Sequence, residues 1–151
     1  MGGWVAKKTI HPFEFLEIYD NPLCIAILPI RDNLSKNDAE YIKIKNLYYK
    51  MLDVLSFSAE QLLKVVFHYS KQEYSLIKQQ QNLLTKKLLY FNPKSILLFG
   101  GLDFLDVGLL NLENVFIMNT FHPEHLLSNL QDKRQAHQDL LLCKKKLITL
   151  F

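Results

Sequence analysis

Apolar positions along this chain fall into two patterns, short continuous runs and longer stretches with helical spacing. Residues 23–28 (Leu-Cys-Ile-Ala-Ile-Leu) form a run closed by Pro29, as expected of a strand buried on both faces. Tyr41, Ile44, Tyr48, Met51 and Leu55 then mark one face of a helix. Ser58 and Gln61 fit a helix start, but residues 62–67 are rich in β-branched side chains and predict a turn into a second strand. Ser70-x-x-Glu73 fits a capping box, opening a helix that carries Tyr74, Ile77, Leu84 and Leu88 and ends at Asn92-Pro93. Residues 95–99 predict a third strand, running into Gly100-Gly101 and a short helix to about Leu110. Residues 114–118 predict a fourth, buried strand. Ala136, Leu140, Cys143, Leu147 and Leu150 mark a final helix. This alternation with short connections predicts a three-layer α/β/α fold around a four-stranded parallel sheet. Residues 1–20 read as an irregular, aromatic-rich lead, and residues 21–151 as one domain.

Composition narrows the class. With 151 residues, 49% of them hydrophobic, the chain is long enough for one domain with a substantial core. No apolar run approaches the ~20 residues of a membrane span. The opening residues lack the apolar core and cleavage site of a secretion signal, and Ala6 stands where a myristoylation signal needs Ser or Thr. A cytoplasmic location is the expectation. Cys24 and Cys143 are the only cysteines. They read as two buried thiols in a reducing compartment rather than a disulfide or redox pair.

Charge changes the picture only when it is divided along the chain. Residues 1–59 carry seven basic and seven acidic groups. Residues 60–94 carry six lysines against Glu60 and Glu73, a net +4. Residues 95–130 hold Asp103, Asp106, Glu113 and Glu124 with no Lys or Arg, a net −4. Residues 131–151 carry Lys133, Arg134, Lys144, Lys145 and Lys146 against Asp132 and Asp139, a net +3. A DNA-gripping surface concentrates cations because phosphate neutralisation supplies most non-specific affinity.

The acidic stretch nevertheless holds the most informative segment. Residues 120–134 read Thr-Phe-His-Pro-Glu-His-Leu-Leu-Ser-Asn-Leu-Gln-Asp-Lys-Arg. They place His122, Pro123 and His125 on a loop between a strand and a helix, at the sheet edge where α/β proteins bind ligands. The segment resembles the His-Pro-Ser/Ala-x-Leu-Leu-x-Asn-Pro-x-x-Lys-Arg motif of the uracil-DNA glycosylase superfamily, especially its iron–sulphur branch. The resemblance implies the same three-layer fold. It casts His122 as the catalytic donor to the departing uracil, and Pro123, His125, Asn129, Lys133 and Arg134 as residues beside the DNA.

The rest of the catalytic set departs from that pattern. Such enzymes flip the base out of the stack and stabilise charge on the sugar and on the leaving uracil. The superfamily uses a Gly-Glu-Ala/Gln-Pro-Gly-type loop after its first strand. This chain reads Leu28-Pro29-Ile30-Arg31-Asp32-Asn33 there, leaving Asp32 as the only carboxylate to offer. Glu124 replaces Ser or Ala where a phosphate would lie, and Leu130 replaces proline. Two cysteines cannot hold a cluster that takes four, so neither a metal cluster nor another cofactor is expected.

Plainer readings stand beside these. His122-Pro123 would cap the fourth strand, with Leu126 and Leu127 filling the core and Asn129 capping the last helix. Gly100-Gly101 lacks phosphate-loop spacing and reads as a tight turn. His125 and His137 lack metal partners at suitable spacing. Lys144, Lys145 and Lys146 read as a solvated helix face.

A second resemblance is to the psi subunit of bacterial DNA polymerase III. Residues 55–63 (Leu-Ser-Phe-Ser-Ala-Glu-Gln-Leu-Leu) and 127–134 echo its turn into the second strand and its final helix entry. It implies an adaptor of DNA replication or repair that binds a protein partner, with weak DNA binding as a further expectation. Trp4, Phe13 and Phe15 would carry the partner contact. An active uracil-DNA glycosylase using His122 is the alternative.

Overall fold

The computed structural model describes residues 13–15, 22–31, 34, 37–58, 60–69, 82, 85, 86, 88, 90–100 and 115–149. Five strands form one sheet: β1 (Phe13–Phe15), β2 (Cys24–Arg31), β3 (Leu62–Tyr69), β4 (Ser95–Phe99) and β5 (Phe116–Thr120). Their order is β1-β3-β2-β4-β5. β3, β2, β4 and β5 run parallel, so the four expected strands make the expected parallel sheet, with the first of them inside it. β1 is an addition. It pairs antiparallel with β3 at the edge, Phe13 opposite Phe67 and Phe15 opposite Val65, within the segment read as irregular. Three residues of Phe-Glu-Phe are too few for a period-2 pattern to stand out from sequence.

Side chains on β2 alternate between two cores, because successive residues of a strand face opposite ways. Ile25 and Ile27 meet Leu63, Val65, Phe67, Ile96 and Leu98. Leu88 and Phe91 cover this face from a segment whose described residues are helical. That segment ends as expected at Asn92, which takes a left-handed φ of 49° before Pro93. Residues 70–81 and 101–114, with the predicted capping box and the short helix after Gly101, lie outside the described residues.

The opposite face of β2, Cys24, Ala26, Leu28 and Ile30, packs under three helices. These are α1 (Ala39–Asp53), α2 (Pro123–Ser128) and α3 (Lys133–Thr149), with a 3₁₀ turn at Leu130–Asp132 between the last two. α1 buries Tyr41, Ile44, Tyr48 and Met51, as their spacing predicted, together with Leu52; Leu55 is buried just past the helix end. α3 buries Ala136, Leu140, Cys143 and Leu147, also as predicted, while Leu150 lies outside the described residues. Buried Tyr48 donates its hydroxyl to the Ala26 carbonyl at 2.7 Å and meets Phe99 edge-on. Helices therefore cover both faces of the sheet.

Two boundaries depart from expectation. β2 does not close at Pro29 but runs on to Arg31. Proline is normally excluded from interior strands for lack of an N–H. Here the last β2–β4 pair is Ile27 with Leu98, so Pro29 lies beyond the ladder that would have needed its donor. β5 begins at Phe116 rather than 114 and continues through Asn119 and Thr120. Its apolar residues are half-buried rather than buried, because it is the edge strand.

Candidate functional site

The end of β5 and the loop into α2 wall a cleft of about 400 Å³, lined by Gly100, Asn119, Thr120, Phe121, His122, His125 and Asp139. It lies at the carboxyl edge of the parallel strands, as expected for a ligand site in such a sheet. What it can do depends on where each polar group is directed.

His122 is turned into the fold. The Glu124 N–H donates to its Nδ1 at 3.0 Å, making His122 the N-cap of α2. Because Nδ1 accepts, the ring proton sits on Nε2, which donates to the Pro29 carbonyl at 2.6 Å. Pro29 lies two residues past the last β2–β4 pair, Ile27 with Leu98. One imidazole thus joins β2 to the start of α2. Gly100 completes the arrangement: with φ at 108°, it lies against the ring so closely that an added Cβ would stand 3.2 Å from both Cβ and Cδ2 of His122. The φ strains any L side chain here, and a Cβ would also push the His122 side chain back by a few tenths of an ångström. The tight turn expected at Gly100-Gly101 lies partly outside the described residues, which stop at Gly100.

His125 is directed outward. Its ring stacks on Phe121 at 5.1 Å with 11° between the planes. Its Nε2 meets Asp132 Oδ2 at 2.7 Å, and the two side chains are 41% and 33% exposed. Asn129 donates to the His125 carbonyl at 3.0 Å. It therefore closes α2; it makes no side-chain cap for the following turn, against the expectation that it would start the last helix. Pro123 is buried at the first position of α2. Leu126 is buried as expected, whereas Leu127 is 38% exposed, since adjacent helical residues point about 100° apart. Lys133 and Arg134 are exposed at the start of α3.

Asp139 was not singled out from sequence. It accepts from Thr120 Oγ1 at 2.9 Å and from Gln135 Nε2 at 2.9 Å, tying α3 to the end of β5. Its signal was its position as the sole acidic residue in α3. Thr120 is only 5% exposed, so its hydroxyl orients Asp139 rather than offering a nucleophile. Asp32 and Trp4 lie outside the described residues, and Phe13 and Phe15 are backbone partners of β3.

Among the described residues, no group of three His, Cys, Asp or Glu is placed to hold a metal ion. Among them too, no helix is long and apolar enough to cross a membrane. Both thiols are free and buried. Burial pushes Cys24 up to about 12 and Cys143 up to about 11, so neither offers a thiolate near neutral pH. The described lysines of residues 64–94 do not gather beside α3. Lys64 lies over the Tyr49 ring, Lys86 belongs to the helical segment across the sheet, and Lys94 precedes β4.

No protein-family model matches the chain, and no curated protein matches it.

Proposed function

We propose that the chain is a non-catalytic protein of uracil-DNA glycosylase-like fold, acting as a psi-subunit-like adaptor in DNA replication or repair. One observation carries the non-catalytic half. The histidine that the resemblance casts as proton donor has both ring nitrogens engaged inside the fold, by Pro29 and by the Glu124 amide. A donor to a departing base must aim its N–H at the leaving atom, and this one is committed to a backbone carbonyl. The continuation of β2 through Pro29, Ile30 and Arg31, where the glycosylases carry a glycine-rich loop, supports the same reading.

The adaptor half rests on the resemblance to the psi subunit and on the scattered lysines, which favour a protein partner over a duplex. Incubation with uracil-containing single- and double-stranded DNA tests the first half. No release above background is expected; robust release would restore the enzyme. For the second half, removing residues 1–19 would also strip β1 from the sheet. Trp4→Ala in the full chain is the cleaner change, and it should reduce co-purification with replication proteins while leaving the thermal midpoint unchanged.

A further inference from the structure

α1 and α3 lie side by side on one face of the sheet and leave a groove between them. Its floor is apolar: Leu47, Met51 and Val54 from α1, Leu126 from α2, Ala136 and Leu140 from α3. Its volume is about 170 Å³, room for an apolar anchor. The polar side chains lining it are Lys50, Lys133 and His137.

From His137, which lines the groove, an exposed stripe runs on along α3. His137, Leu141, Lys144 and Ile148 recur at i, i+4, i+7 and i+11, the spacing of one helix face. Leu141 is 45% exposed and Ile148 58% exposed, although both belong to a helix that already buries a different face. Lys144 donates to Ser56 Oγ, just past the end of α1, at 3.3 Å, which adds a third lysine on the α1–α3 side of the molecule to Lys50 and Lys133. The nearby carboxylates are mostly occupied elsewhere. Asp132 is held by His125, and Asp139 by Thr120 and Gln135; Asp53 stands exposed on α1.

We infer that this groove docks an amphipathic helix of a partner protein, one that presents an apolar ridge between acidic flanks. Charge complementarity selects the occupant. The ridge would fill the apolar floor and cover Leu141 and Ile148, while its carboxylates meet Lys50, Lys133 and Lys144. A nucleic acid would neutralise the lysines but leave the apolar floor and those two side chains in water. Docking here is independent of the replication reading. Uracil release, or a Trp4 variant that keeps its partners, would leave the groove proposal standing.

The test uses the full chain and two synthetic helical peptides, one with a leucine ridge flanked by glutamates, the other with lysines in place of the glutamates. The glutamate peptide should bind, more weakly as salt rises, and the lysine peptide should not. Leu141→Asp, and separately Lys50→Glu with Lys133→Glu, should each weaken binding about tenfold with the circular dichroism spectrum unchanged. Equal binding of the two peptides, or no binding of either, would overturn the inference. So would displacement of the peptide by an equal concentration of a single-stranded oligonucleotide. A dimer in sedimentation that Leu141→Asp dissociates would overturn it in favour of a second copy of the chain.

Discussion

The middle of the sheet and its β5 edge treat polar groups in opposite ways. β2 and β4 are covered on both faces, and two buried hydroxyls there are spent on backbone carbonyls: Tyr48 on that of Ala26, Ser95 on that of Leu23. At β5 the apolar side chains are half-buried, Asn119 is exposed, and Asp139 and His125 line an open cleft. His122 starts from the edge loop, yet its ring is spent on the middle, closing the carbonyl of Pro29. A residue type associated with catalysis is thus structural when its hydrogen bonds are all directed inward. Three residues further on, the same residue type faces the cleft and contributes little to holding the sheet.

That contrast is broken most directly at the two histidines. His122→Ala removes a helix cap, at about 0.5–2 kcal/mol, and strands the Pro29 carbonyl, at about 1–3 kcal/mol. A loss of about 2–4 kcal/mol in urea unfolding is expected. His122→Asn keeps a capping oxygen and should recover part of it. His125→Ala removes only a partly exposed pair and a ring stack, so about 1 kcal/mol or less is expected. Equal losses at the two positions would abolish the distinction between a structural and a cleft-facing histidine.

Gly100→Ala sharpens it from the other side. The added methyl must adopt a left-handed φ and press against the His122 ring. About 1–3 kcal/mol of destabilisation is expected, chiefly from the backbone. In His122→Ala the contacts with Cγ and Cδ2 are gone while the one with Cβ stays, so Gly100→Ala should cost somewhat less in that background. A double-mutant cycle measures this coupling. Strict additivity would mean that the glycine answers to the turn alone.

Much of this arrangement was legible in the sequence, and the part that was not has a common cause. β2 and β4 announced themselves as apolar runs, and α1 and α3 as apolar stripes, because burial on those elements is nearly complete. The loop after β5 is shorter than its sequence suggests. Only Phe121 and His122 belong to it, whereas Pro123 and His125, expected on the loop, lie in α2, a helix too short for its apolar spacing to stand out. The function of His122 in the fold was hidden, since its acceptor lies 93 residues away at Pro29 and its steric partner is Gly100. The same distance concealed why a proline is tolerated inside β2: the reason is that β4 has ended, which no local pattern encodes. Asp139 went unnoticed because its partner, Thr120, belongs to another element. β1 escaped because pairing, rather than any periodicity of its own, makes it a strand.

The two buried thiols report whether the middle of the sheet is closed. Burial raises the thiols of Cys24 and Cys143 from 9.0 to about 12 and about 11. Both folded values lie above the unfolded one, so the folded state favours the protonated thiol. The corresponding stabilisation is complete below about pH 9 and is lost as pH rises through 9 towards 11 and 12. Folded protein at pH 8 should therefore leave both thiols unmodified by an aromatic disulfide reagent, and both should react once urea unfolds the chain. Between pH 9 and 11 the double variant Cys24→Ala, Cys143→Ala should lose less of its own stability than the parent, because its unfolded state has no thiolate to form. Buried Tyr48, whose ionisation burial also opposes, keeps a residual alkaline slope in both proteins. Rapid modification of the folded protein at pH 8 would mean that α3 opens from β2 readily, and the middle would then resemble the edge.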